Sequence, residues 1–120
     1  MKPYSRSDRV AGLIQHLLAD LLQKEIRDPR LDRTTITTVK VTRDLRIARI
    51  YFATKGAEGA AQAALDGFAR AKGFVKRELA RKLGLRYMPD LEFFYDDSID
   101  HGARIDRLLK MVIKNDQAHH

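Results

Sequence analysis

Apolar residues at Val10, Leu13, Ile14, Leu17, Leu18, Leu21 and Leu22 recur at three- and four-residue spacing, which predicts an amphipathic helix with one face on a core. Ser7 is placed to cap that helix, with Asp8 in the first turn near the positive end of the dipole. Asp28-Pro29 predicts its end, because a residue before proline is pushed out of the helical region. From Thr34 to Thr42 the chain is rich in β-branched residues, which suit a pleated surface. Arg43-Asp44-Leu45-Arg46 reads as a turn, and Ala48, Ile50 and Phe52 then alternate with Arg49 and Tyr51, so the two segments form a hairpin.

The segment from Glu58 to Ala71 supplies Ala60, Ala64, Leu65 and Phe68 for a helix able to lie close against a sheet. At Ala71-Lys72-Gly73 the pattern predicts a kink or break, since a glycine inside a helix costs about 1 kcal/mol relative to alanine. A further helical stripe follows at Val75, Leu79 and Leu83; Gly84 has the position of a helix C-terminus, and Pro89 bars an early restart. Leu91, Phe93 and Tyr95 alternate with Glu92 and Phe94 as a strand. Ser98 is placed to cap a last helix with Ile105, Leu108, Leu109, Val112 and Ile113 on one face, although Gly102 weakens its first turn. Beyond Lys114 the polar residues 115–120 form an expected disordered tail. The order is helix, strand, strand, helix, helix, strand and a C-terminal helix: an α+β fold with helices on one face of a three-stranded sheet.

Charge changes this picture more than length does. The 120 residues suffice for one domain with a real core and no disulfides, and the absence of cysteine suits a reducing cytosol and excludes thiolate zinc sites and thiol chemistry. The formal charge of +7 and a pI near 9.9 make a polyanion the first partner to consider, nucleic acid ahead of an anionic membrane surface. Gln15, His16 and Asp20 interrupt the apolar residues of the first helix, which excludes a signal-peptide core or membrane span there. His16 and His101 are isolated in sequence, and His119-His120 reads as a loose or appended tail, so no metal and no cofactor is assigned.

The charge is concentrated. Arg70, Lys72, Lys76, Arg77, Arg81, Lys82 and Arg86 stand against a single acid, Glu78, so this stretch alone carries a surplus of six. With Val75, Leu79 and Leu83 on one side of the helix, Arg77 and Arg81 fall roughly opposite, where a partner can reach them. Arg6 and Arg9 near the N-terminus, and Arg43 and Arg46 at the hairpin turn, are candidates for an extended footprint. Asp96-Asp97, with Glu92 and Asp100 nearby, admits a rival reading as a magnesium-dependent nuclease. Acids between a strand and a helix more often serve the turn and the helix dipole, and no nucleophile with a spaced base is evident. A non-enzyme is therefore expected.

Several pieces, in order, resemble the bacterial ribosome-binding factor A family across nearly the whole chain. They are Arg9-Val10-Ala11, then Thr42-Arg43-Asp44-Leu45 leading to Ala48 and Tyr51, then Ala71-Lys72-Gly73. Leu85-Arg86-Tyr87-Met88-Pro89-Asp90-Leu91 follows and runs on to Asp96-Asp97-Ser98. The resemblance implies a KH-like fold of the second topology over residues 1–114, and a cytoplasmic factor for maturation of the small ribosomal subunit. It further implies 16S rRNA in the immature 30S subunit as partner, a part in 5′-end processing and growth in the cold, and no membrane or small-molecule substrate. A monomer is expected. Ordinary KH modules clamp about four nucleotides with a GxxG loop. Ala71-Lys72-Gly73 stands at the corresponding junction here, which shifts the expectation toward shape and phosphate recognition. In that reading the helix after Gly73 offers free N–H groups and a positive dipole end to phosphate, with Gly73 and Lys72 at its mouth. A free-standing module acting on messenger RNA or other RNA is the alternative within the same class.

Overall fold

The computed structural model describes residues 5–56 and 58–98. The expected last helix and the tail 115–120 fall outside them, apart from Ser98 at the helix start. Helix α1 (Arg6–Lys24) is capped by Ser5, not by the expected Ser7. The Asp8 N–H donates to Ser5 Oγ at 3.2 Å, and the Ser5 N–H donates back to Asp8 Oδ2 at 3.3 Å. This reciprocal box needs an acid three residues after the cap, which Ser5 has and Ser7 lacks. Ser7 turns inward and is buried. The helix ends at Lys24, ahead of Asp28-Pro29, and those two residues open a single 3₁₀ turn, Pro29–Leu31, in which Asp28 accepts from the Arg30 N–H and guanidinium.

Strands β1 (Thr34–Val41) and β2 (Ile47–Thr54) pair antiparallel, as the alternation predicts. The turn between them is held by Asp44, which accepts from the Thr42 hydroxyl at 2.7 Å and the Arg46 N–H at 3.1 Å. Leu45 takes a φ of 60° there, a left-handed conformation rare for a bulky side chain. The register slips between Ile36 and Thr38, leaving Thr37 as a bulge whose hydroxyl lies 2.7 Å from Asp96 Oδ2. Strand β3 (Asp90–Tyr95) adds to β2 in parallel, giving the order β1-β2-β3. A parallel neighbour requires a crossover, and helix α2 (Ala60–Leu83) is that connection.

Here the structure corrects the sequence. Helix α2 runs uninterrupted for 24 residues, so one helix stands where two with a break at Ala71-Lys72-Gly73 were expected. Gly73 is not among the positive-φ glycines, and the α+β order becomes helix, strand, strand, helix, strand over the described residues. The energetic reason is continuity of the buried stripe. Ala64 and Phe68 before the glycine, and Val75 and Leu79 after it, are all fully buried on one face. Each large side chain contributes roughly 1.5–3 kcal/mol by burial, which outweighs a helical glycine's cost of about 1 kcal/mol. With the helix continuous, no free N–H groups are exposed after Gly73, and the expected phosphate cradle at a helix start is absent there. Gly84 does end α2 as predicted, at φ 64° with its N–H on the Ala80 carbonyl.

Both helices cover one face of the sheet, as expected of the KH-like arrangement. Ile14, Leu18 and Leu21 of α1 meet Ile50 and Phe52 of the sheet and Val75 and Leu79 of α2 in one core. Phe68 is central: its ring lies 4.9 Å from that of Phe52 and 4.5 Å from that of Phe93. Gly67 packs closely, since a Cβ there would come within 3.1 Å of the Leu31 side chain, which would have to shift by a few tenths of an ångström. The other sheet face carries Tyr51 stacked on Phe94 at 5.4 Å and Arg49 beside Glu92 at 3.6 Å. No helix of the described residues is long and apolar enough to cross a membrane.

Candidate nucleic-acid interface

Because α2 is unbroken, its cations sort by helical position. Residues 70, 73, 77 and 81 are separated by three, four and four positions, so Arg70, Gly73, Arg77 and Arg81 line one outward stripe, and all four are exposed. Arg81 is tied to Glu78 at 2.7 Å, and its guanidinium holds the Glu78 carboxyl below its ordinary value. Arg70 and Arg77 have no ion pair among the described residues. Gly73 lies between them with open space above it: an added Cβ would meet only the Arg77 guanidinium at 3.9 Å. Nothing within the described residues requires a glycine at this position.

Lys72 and Lys76 occupy the flank of α2 that faces β3. Both ammonium groups approach Asp90 Oδ1, at 3.3 and 3.7 Å, and Lys72 above all holds that carboxyl below the ordinary carboxylate range. Lys82 is exposed on the α1 side near Asp20, whose carboxyl is held down mainly by Lys24 and to a lesser degree by Lys82.

At the C-terminal end of α2 the structure joins residues far apart in sequence. The Asp90 N–H donates to the Arg46 carbonyl at 2.8 Å, which ties the start of β3 to the hairpin turn. Beside this bond lies an open groove of about 650 Å³ lined in part by Arg6 from α1, Arg46 from the turn, Lys76 from α2, and Arg86 and Tyr87 from the α2–β3 loop. Four cations there face two acids, Asp44 and Asp90, leaving a surplus of two. Arg6 and Arg46 are thus brought together with Lys76 and Arg86. Arg9 and Arg43 are exposed but line no part of this groove.

Tyr87 is the residue that charge-based reasoning passed over. The residue is 78% exposed, and the Arg86 guanidinium sits 5.6 Å from the ring centroid. The available signal was an aromatic residue directly after the last cation of the cluster, in a segment ended by Pro89. Asp96, by contrast, is occupied locally. The Ser98 hydroxyl, then the Thr37 hydroxyl at 2.7 Å and the Ser98 N–H at 3.0 Å, hold its carboxyl below the ordinary value and give it the work of a turn residue. Among the described residues no cluster of His, Asp or Glu is arranged to hold a metal ion.

Comparison with known proteins agrees with this architecture. The family model described as ribosome-binding factor A matches residues 6–109. A ribosome-binding factor A of Desulfatibacillum aliphaticivorans is 54% identical over 112 residues, covering 93% of this chain and 91% of that one. The solution structure of a Thermotoga maritima protein aligns with a TM-score of 0.71 at 33% identity, over 82% of this chain and 93% of its own. Thermus thermophilus ribosome-binding factor A, as fitted into a cryo-electron-microscopy map of its complex with 30S, aligns with a TM-score of 0.58 at 28% identity, over 72% of this chain and 91% of that one. An α+β chain whose two helices cover one face of a three-stranded sheet, matched over most of its length, belongs to the ribosome-binding factor A family.

Proposed function

We propose that this protein is a cytoplasmic assembly factor that binds 16S rRNA in the immature 30S subunit as a monomer. It assists late maturation of that subunit, including processing of the 16S 5′ end, and supports growth in the cold. The observation that carries the reading is the surplus of exposed cations on and beside α2: Arg70 and Arg77 stand outward around Gly73, and Lys76 and Arg86 join Arg6 and Arg46 at the groove. Lys72, Arg81 and Lys82 add to the same field. Family membership and the 30S complex of the Thermus relative support the choice of partner.

Rigid cations on a helix meet phosphates at fixed positions and set orientation, while RNA shape supplies the choice of site. The protein contributes no catalytic group. It acts by occupying and ordering rRNA until processing is complete. Each phosphate neutralised releases counterions, so affinity falls with salt in proportion to the number of contacts. The direct test is sedimentation of the protein with immature and mature 30S subunits across a salt series. Tighter, salt-steep binding to the immature particle is expected. Equal binding to both particles, or binding indifferent to salt, overturns the proposal.

A further inference from the structure

Phosphate contacts alone do not separate a single strand from a helix, and the groove at the end of α2 carries an exposed aromatic ring besides its cations. Tyr87 leaves most of its ring in water, beside Arg86 and within a groove whose cations outnumber its acids. An exposed tyrosine ring offers a flat, amphipathic surface on which a planar group can stack. The groove's volume, about 650 Å³, falls within the range of about 300–1,000 Å³ common to small-ligand sites. The surrounding charge favours an anionic occupant with a flat π surface.

We propose that this groove receives one unpaired nucleotide of an RNA strand, with its base stacked on Tyr87 and its phosphate among Arg6, Arg46, Lys76 and Arg86. Arg86 backs the ring, so the aromatic face away from it is the one that takes the base. Stacking tolerates any base, but it demands one whose face is free. The groove therefore selects a bulged or single-stranded nucleotide over a paired one, a discrimination that the outward stripe of α2 cannot make. This inference rests on the RNA reading given above and adds to it the state of the nucleotide recognised.

The test compares wild type, Tyr87→Ala and Tyr87→Phe for binding to immature 30S subunits and to protein-free 16S rRNA, each across a salt series. Tyr87 is largely exposed, so the variants keep the fold, which circular dichroism verifies. Tyr87→Ala is expected to weaken binding to both targets roughly five- to hundredfold with an unchanged salt slope. Tyr87→Phe is expected to bind like wild type. Undiminished binding of Tyr87→Ala to rRNA overturns the inference. So does a Tyr87→Phe defect equal to that of Ala, which would mean a hydrogen bond from the hydroxyl, or a defect on the subunit alone, which would mean a ribosomal protein as neighbour. Wild-type binding that ignores salt would remove the RNA reading itself and this inference with it.

Discussion

The two sides of α2 carry similar numbers of cations and use them differently. On the outward stripe, Arg70 and Arg77 flank a bare glycine and form no ion pair among the described residues, while Arg81 is tied to Glu78. On the flank toward β3, Lys72 and Lys76 share Asp90, and Lys76 opens onto a groove that also holds Arg6, Arg46, Arg86 and the exposed ring of Tyr87. The stripe is an exposed row with two arginines unpaired among the described residues, suited to attracting and orienting a polyanion. The groove has partly compensated charge and a shape, which suits a particular nucleotide geometry. Net charge on the helix, which is all that composition reports, does not separate these roles.

Four perturbations test that contrast. The largest effect is expected from Phe68→Ala, which removes the ring between Phe52 and Phe93 beneath both surfaces and costs about 3–5 kcal/mol in urea unfolding. Stripe and groove should fail together, whereas a stable variant would mean that α2 is held by something other than this contact. The double change Arg70→Gln with Arg77→Gln should lower the salt slope of subunit binding by about two units and leave stability within about 0.5 kcal/mol of wild type. An unchanged slope would take the stripe out of the interface and leave the groove alone.

Gly73→Ala separates stability from docking. The substitution should stabilise the protein by about 0.5–1 kcal/mol, because the glycine has helical geometry and open space around it. It should also weaken subunit binding, if the stripe lets a partner approach the backbone closely. A variant that is more stable and binds equally well would reduce the stripe to a field without fitted contact. Asp90→Asn should have the smallest effect. It frees Lys72 and Lys76, tightens binding a few-fold and changes stability by less than about 1 kcal/mol, as expected of an exposed pair. The folded-state pKa of Asp90 lies below its ordinary 3.8, so its ion pairs contribute above that value and are lost as pH falls through the lowered one. In wild type this appears as destabilisation confined to the acid range, which Asp90→Asn should reduce; equal acid sensitivity would assign the effect to Asp28, Asp44 or Asp96 instead.

The amino-acid sequence determined the local elements, because their signals lie within a few residues of one another. The apolar spacing of α1, the alternation of β2 and β3, the turn at Arg43 to Arg46, the stop at Gly84 and the crowding of cations between Arg70 and Arg86 were all legible. The cap expected at Ser7 lies instead at Ser5, although the spacing of Ser5 to Asp8 carried the signal for it. Only the tertiary structure decided whether Gly73 would break its helix, since that outcome turns on whether Phe68 and Leu79 bury against the same sheet. It likewise decided that β3 joins β2 in parallel and that Arg6, Arg46, Lys76 and Tyr87 meet around one groove. Such facts depend on free energies of burial and on distances between elements, and neither is encoded at any single position of the chain.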